Sequence, residues 1–146
     1  MSGSACILAS GVFDLFHVGH LRYLQYARAQ GDRLLVGVVS DEDVWRFKAK
    51  RPVIALAQRM EIIAALACVD EVKLQPTSTR DVQAASQWIP AWGATHMVMG
   101  GMWQDDGAGT ALAALLQDKG MAVSYAPATP GISSTDIAAR LRGGRQ

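Results

Sequence analysis

Gly11-Val12-Phe13-Asp14-Leu15-Phe16-His17-Val18-Gly19-His20 is the stretch on which the reading of this chain turns. An apolar run, Ala5-Cys6-Ile7-Leu8-Ala9, precedes it, and a helical pattern, Leu21-Arg22-Tyr23-Leu24-Gln25-Tyr26-Ala27, follows it. A buried strand therefore passes through a glycine-containing turn into a helix N-terminus. In an α/β protein such a junction receives phosphate, because the first N–H groups of a helix lack partners and carry the positive end of its dipole. His17 and His20, beside the first helical turn, can both point at one anion. Gly19 would let that anion approach the backbone without meeting a Cβ. Two histidines taken alone are more often space-filling; the ordered strand, Phe-Asp pair, glycine and helix reverse that weighting.

Outward from this block, strand and helix patterns alternate along the chain. Strands are expected at 5–10, 32–39, 69–74, 95–100 and 121–125. The second, Asp32-Arg33-Leu34-Leu35-Val36-Gly37-Val38-Val39, is nearly continuous in apolar residues, as a parallel strand covered on both faces requires. Helices are expected at 21–29, from the Ser40 cap through Trp45 and Phe47, at 57–67, at 80–89 ended by Pro90, at 110–119 and at 136–141. This alternation predicts a Rossmann-like, doubly wound α/β fold with a five-stranded parallel sheet in a single domain. The domain is expected to span 1–141, with 142–146 a flexible tail or the start of a linker.

The chain of 146 residues suits one domain, and half its residues are hydrophobic. No apolar stretch approaches the ~20 residues needed to span a membrane, and the start has no basic segment before an apolar run. Cys6 and Cys68 lie in apolar surroundings and read as reduced thiols, with no partner at zinc spacing. A cytoplasmic protein without membrane contact is expected. The net charge of +1 argues against general nucleic-acid binding.

The G-x-F-D-x-x-H-x-G-H block resembles that of the cytidylyltransferases within the HxGH nucleotidylyltransferase superfamily, such as glycerol-3-phosphate cytidylyltransferase. The nucleotidyl domain of the ADP-heptose synthases is also similar. A second block, Gly131-Ile132-Ser133-Ser134-Thr135 before the last helix, resembles the family's R-T-x-G-I-S-T-T signature. The resemblance implies an enzyme that transfers CMP from CTP to a small phosphorylated or phosphonate alcohol and releases pyrophosphate. An adenylyltransferase using ATP, or a nucleotide-binding module without catalysis, are the alternatives. His17, His20 and Lys48 would be catalytic, with Lys48 eleven residues before Arg59 as in the family. Gly11, Val12, Phe13, Asp14, Gly19, Asp41, Gly100, Ile132, Ser133, Ser134 and Thr135 would line the nucleotide. Lys50, Arg59, Ala128 and Thr129 would face the acceptor, Arg59 either touching it or ordering the loop. Asp41 and Asp14 could equally be helix caps. Mg²⁺, or another divalent ion, would ride mainly on the nucleotide phosphates, with Asp14 a candidate ligand. A homodimer is implied, Trp45, Trp88, Trp92 and Trp103 offering interface aromatics, and so is fusion to a larger enzyme.

Two departures bear on the acceptor. The signature's opening arginine is Ala128 here, so Arg51, Arg59 or Arg80 would replace it, or the acceptor carries its anion elsewhere. Where glycerol-3-phosphate cytidylyltransferases have G-D-D-W, this chain has Gly100-Gly101-Met102-Trp103. An acceptor other than glycerol 3-phosphate is therefore expected, for example 2-hydroxyethylphosphonate.

Overall fold

A computed structural model of the chain describes residues 4–143. Five parallel strands, β1 (Cys6–Gly11), β2 (Arg33–Val38), β3 (Glu71–Leu74), β4 (His96–Gly100) and β5 (Ala122–Ala126), form one sheet in the order β3-β2-β1-β4-β5. Around it run α1 (Val18–Ala29), α2 (Asp41–Lys48), α3 (Leu56–Ala64), α4 (Val82–Ala91), α5 (Gly107–Asp118) and α6 (Ser134–Gly143). The Rossmann-like architecture expected from the alternating patterns is the one observed. None of the described helices is long and apolar enough to cross a membrane.

Strand alternation divides the core in two. Ile7 and Ala9 of β1, Leu34, Val36 and Val38 of β2 and Val98 of β4 pack with Leu24 of α1 and Ile63 of α3. Leu8, Leu35, Met97 and Met99 face the other way, against Ala85, Trp88 and Ile89 of α4 and Leu112 and Leu116 of α5. Both sheet faces are thus covered, which explains why β2 reads as an unbroken apolar run.

Several boundaries differ from the sequence reading, where side chains and backbone bonds act that periodicity does not register. Asp106 starts α5 at Gly107 rather than Thr110, its carboxylate accepting from the N–H groups of Ala108 and Gly109. Pro90 does not end α4 but sits inside it, in the last turn. A helical proline leaves the carbonyl four residues earlier without its donor. Here that carbonyl, on Ser86, accepts from Lys119 Nζ at 2.7 Å. α6 begins at Ser134 and runs to Gly143, so Arg142 and Gly143 are helical rather than tail; residues 144–146 lie outside the described part. Gly101–Trp103 forms a short 3-10 turn that the sequence reading left as loop.

The sheet opens at its centre. β1 and β4 pair only from Ile7↔His96 to Ala9↔Val98, while β1 continues beside β2 to Gly11. Beyond the split, the buried Tyr23 hydroxyl accepts from Ser10 N–H at 3.1 Å and donates to the Val98 carbonyl at 2.6 Å. A side chain thus takes the place of a ladder bond and satisfies both strands as they part. The strand order reverses direction at this point, where α/β proteins place their ligand crevice.

Candidate active site

The crevice is a cavity of about 600 Å³ above the carboxyl ends of the strands. Gly11, Val12, Phe13, Asp14, His20, Lys48, Lys50, Gly100, Ser134 and Thr135 line it, bringing together both blocks singled out in the sequence.

His17 and His20 form a reciprocal cap on α1. Gly19 N–H donates to His17 Nδ1 at 3.0 Å, and His17 N–H donates to His20 Nδ1 at 3.2 Å. An Nδ1 that accepts carries a lone pair, so each neutral ring keeps its proton on Nε2. The rings stack with centroids 3.9 Å apart, and His20 also packs on Phe13 and Phe16. Desolvation, with His17 as neighbour, pushes the His20 pKa down to about 4, and desolvation lowers that of His17. Both imidazoles are therefore neutral Nε2–H donors at neutral pH. The fold sets a constraint of its own on Gly19. A Cβ there would stand 2.7 Å from His17 Cε1 and 2.9 Å from Nδ1, displacing the capping ring.

The turn before the histidines is strained and pinned. Phe13 and Leu15 both have left-handed backbones, with φ of 57° and 50°, a conformation that costs non-glycine residues about 1 kcal/mol or more each. Asp14 between them holds the turn from three directions. Its carboxylate accepts from Val53 N–H at 2.7 Å and Ile54 N–H at 2.9 Å, and its carbonyl accepts from the Ser134 hydroxyl at 2.7 Å. One residue so ties the first block to the loop between α2 and α3 and to the start of α6.

Arg59 needs correction as an acceptor-facing residue. It is 1% exposed, and its guanidinium donates to the carbonyls of Ile54, Val12 and Val39 and to the Asp41 carboxylate. A side chain enclosed in this way orders the loops around the site and has no open face. Asp41, expected near the nucleotide, is Arg59's counter-ion and does not line the cavity; the cap of α2 is Ser40. Ser133 likewise turns its hydroxyl to cap α6, accepting from Asp136 N–H at 3.0 Å. Ala128 and Thr129 do not line the cavity, the former lying exposed in the loop after β5. Ile132 sits beside the histidine turn, its Cγ2 3.7 Å from where a Cβ on Gly19 would be.

Lys48 ends α2 and reaches the cavity. Desolvation in the cleft lowers its pKa, Lys50 and Arg80 add to that effect, and Asp14 opposes it. Ala49 follows with a left-handed φ of 53°, which turns the chain so that Lys48 and Lys50 both line the cleft. From the loop after β3 the sequence reading named only Arg80, as a stand-in for the missing arginine; Ser78 and Thr79 line the cavity beside it, together with Phe47, Trp103 and Arg142. A parallel sheet places its ligand beyond the carboxyl ends of its strands, so the loop after β3 belongs to that edge by topology alone. Of the four tryptophans proposed as interface aromatics, Trp88 is core, Trp92 and Trp103 pack against it, and Trp45 is 51% exposed.

Comparison with known proteins places the chain. Residues 8–140 match the family model described as cytidylyltransferase-like, so the chain belongs to that family and is a nucleotidyltransferase. Among curated relatives, the bifunctional protein HldE of Halorhodospira halophila is 40% identical over 97% of this chain and 28% of its own length. HldE of Hydrogenovibrio crunogenus is 52% identical over 48% of this chain and 15% of its own length. The matched regions therefore span 28% and 15% of the length of these two relatives. Among solved structures, a lipopolysaccharide core biosynthesis protein of Thermoplasma volcanium superposes with a TM-score of 0.64 at 23% identity, covering 89% of this chain and all of that one. Thermotoga maritima TmcAL, solved with alpha-thio ATP, gives 0.74 at 15% identity over 96% of this chain and 51% of its own. Both support the fold.

Proposed function

We propose that this chain transfers CMP from CTP to an anionic oxygen of a small phosphate- or phosphonate-bearing alcohol such as 2-hydroxyethylphosphonate. The observation that carries the transfer is the reciprocal histidine cap at the start of α1, which leaves both rings as neutral Nε2–H donors and sets His20 in the cavity wall. The acceptor oxygen attacks the α-phosphorus in line, a bond to phosphorus forms as the α–β bridge breaks, and pyrophosphate leaves with the electron pair. Because the nucleophile is already an anion, the protein's part is positioning and charge neutralisation. His17 and His20 donate to the α-phosphoryl oxygens, Lys48 neutralises charge, and the start of α6, with Ser134 and Thr135, holds the outer phosphates. Choice of CTP follows the cytidylyltransferase-like family match and the form of the first block.

The residues fit a divalent ion carried on the nucleotide. Among described residues no three carboxylates, histidines or cysteines cluster as a cage, and Asp14, the acid lining the cavity, already accepts from two backbone N–H groups. Mg²⁺ would add Lewis-acid neutralisation of the phosphates. A second reading, AMP transfer from ATP, is favoured by the alpha-thio ATP held by TmcAL on the same fold. The relatives' greater length and the name bifunctional support a role as one domain beside another.

Thermal unfolding with CTP and with ATP, each with Mg²⁺, discriminates the readings. A ligand at a hundred times its Kd adds about 2.7 kcal/mol. Stabilisation by CTP supports the first reading, by ATP the second, and by neither defeats both. Pyrophosphate release by His17→Asn, which keeps an N-cap acceptor, should fall by at least about a hundredfold with the unfolding temperature nearly unchanged; undiminished release would remove the histidine from the mechanism.

A further inference from the structure

The signature arginine absent at position 128 leaves a question about which guanidinium meets the second anion. Arg59 is enclosed by three carbonyls and Asp41. Arg51 stands 5.9 Å over the ring of Trp45, which is 51% exposed on α2. Arg80 is different, because it is held on both sides while facing the cavity.

Its loop is anchored from beneath. The buried Gln75 accepts from the Ser10 hydroxyl on β1 and donates to the Thr77 carbonyl, and Trp88 Nε1 donates to Thr77 Oγ1 at 2.9 Å. The Ser78 hydroxyl then accepts from Arg80 N–H at 3.1 Å. On the outer side the guanidinium lies 4.9 Å over the Trp103 ring, which itself packs on Gly109 so closely that a Cβ there would meet Trp103 Cε3 at 2.8 Å. Asp106 restrains Arg80 only weakly. Both terminal nitrogens reach the same Oδ2 at 3.3 Å, at the long end for such bonds, while Oδ1 is committed to capping α5. Two of five guanidinium N–H groups are used in that pairing. Arg80 adds its field to Lys48, which borders the same cleft.

We propose that Arg80 is the acceptor-binding guanidinium of this enzyme: it leaves Asp106 to take the phosphoryl or phosphonyl group of the second substrate, while Trp103 keeps its plane oriented. This rests on the nucleotidyl-transfer reading above. It assigns Arg80 to the second anion rather than to the triphosphate, because the histidines and the start of α6 already serve the nucleotide, from the α1 side of the sheet, whereas Arg80 sits at the junction of α4 and α5. A planar fork matches a tetrahedral oxyanion in a way a lysine does not.

The test is calorimetric titration of inorganic phosphate into protein saturated with CTP–Mg²⁺ or, if that fails to bind, ATP–Mg²⁺. In Arg80→Ala the phosphate Kd should rise at least tenfold, with nucleotide Kd changed less than twofold. Arg80→Lys, which retains the charge and the fold, should recover only part of the phosphate affinity. Unchanged phosphate binding in Arg80→Ala, a parallel loss of nucleotide affinity, full rescue by lysine, or a wild-type protein that binds no phosphate beside the nucleotide would each overturn the assignment. Failure of both nucleotides to bind the wild type overturns the transfer reading, and this inference with it.

Discussion

The two histidines show how one side chain can carry structure and chemistry at once. Accepting at Nδ1 caps α1 and leaves the proton on Nε2, so the hydrogen bonds that start the helix also fix the tautomer of each ring, that of the cavity-lining His20 included. The depressed pKa of His20 has a stability consequence. Unfolded histidine binds a proton below about pH 6.5, whereas His20 in the folded chain does so only near 4. Between those values the unfolded state holds more protons, so stability falls as the pH falls through that window. Urea unfolding at pH 7 and at pH 4.5 should show wild type losing roughly 2 kcal/mol more than His20→Asn. Equal losses would mean that His20 is not the desolvated group. The motif spacing was legible in the sequence, but the capping role of the rings was not, because histidine carries no strong statistical preference for that position.

Loops become precise here by being tied to buried side chains on elements. Arg59, on α3, collects carbonyls from the turn after β1, the end of β2 and the loop before its own helix, with Asp41 as counter-ion. Replacing it with methionine would keep the volume but orphan three carbonyls and a partly buried carboxylate. Arg59→Met should cost about 3–5 kcal/mol in urea unfolding; a loss below ~1 kcal/mol would show that the loops hold without it. The family spacing from Lys48 drew attention to Arg59, and its burial sets it to ordering the loops, the second of its two expected roles. Pro90 teaches the same lesson, since the carbonyl it leaves without a donor is satisfied by Lys119 at the C-cap of α5, 29 residues away in sequence.

Charge is organised at the scale of the whole molecule. The chain is nearly neutral overall, yet Lys48, Lys50, Arg51, Arg80 and Arg142 line the cavity against the single carboxylate of Asp14. A concentrated field of one sign in a cleft attracts anions and weakens as salt screens it. Nucleotide Kd, measured by calorimetry, should therefore rise about tenfold between roughly 50 and 500 mM salt; a flat profile would assign binding to neutral hydrogen bonds instead. Lys48, Lys50 and Arg51 come from one short run of sequence, whereas Arg80 from the loop after β3 and Arg142 from the last turn of α6 join them only in the fold.

Sequence alone determined the parallel sheet, the order of its elements and the two blocks that border the cavity, because strand burial, helix periodicity and glycine turns are written in neighbouring residues. Tertiary structure alone decided where β1 and β4 part, which basic residues face the cleft and which are consumed inside. Those outcomes depend on side chains meeting across long separations: Tyr23 between two strands, Arg59 under three loops, Arg80 between Trp103 and Asp106. A donor's partner is fixed by distance in space, and local pattern carries no record of it.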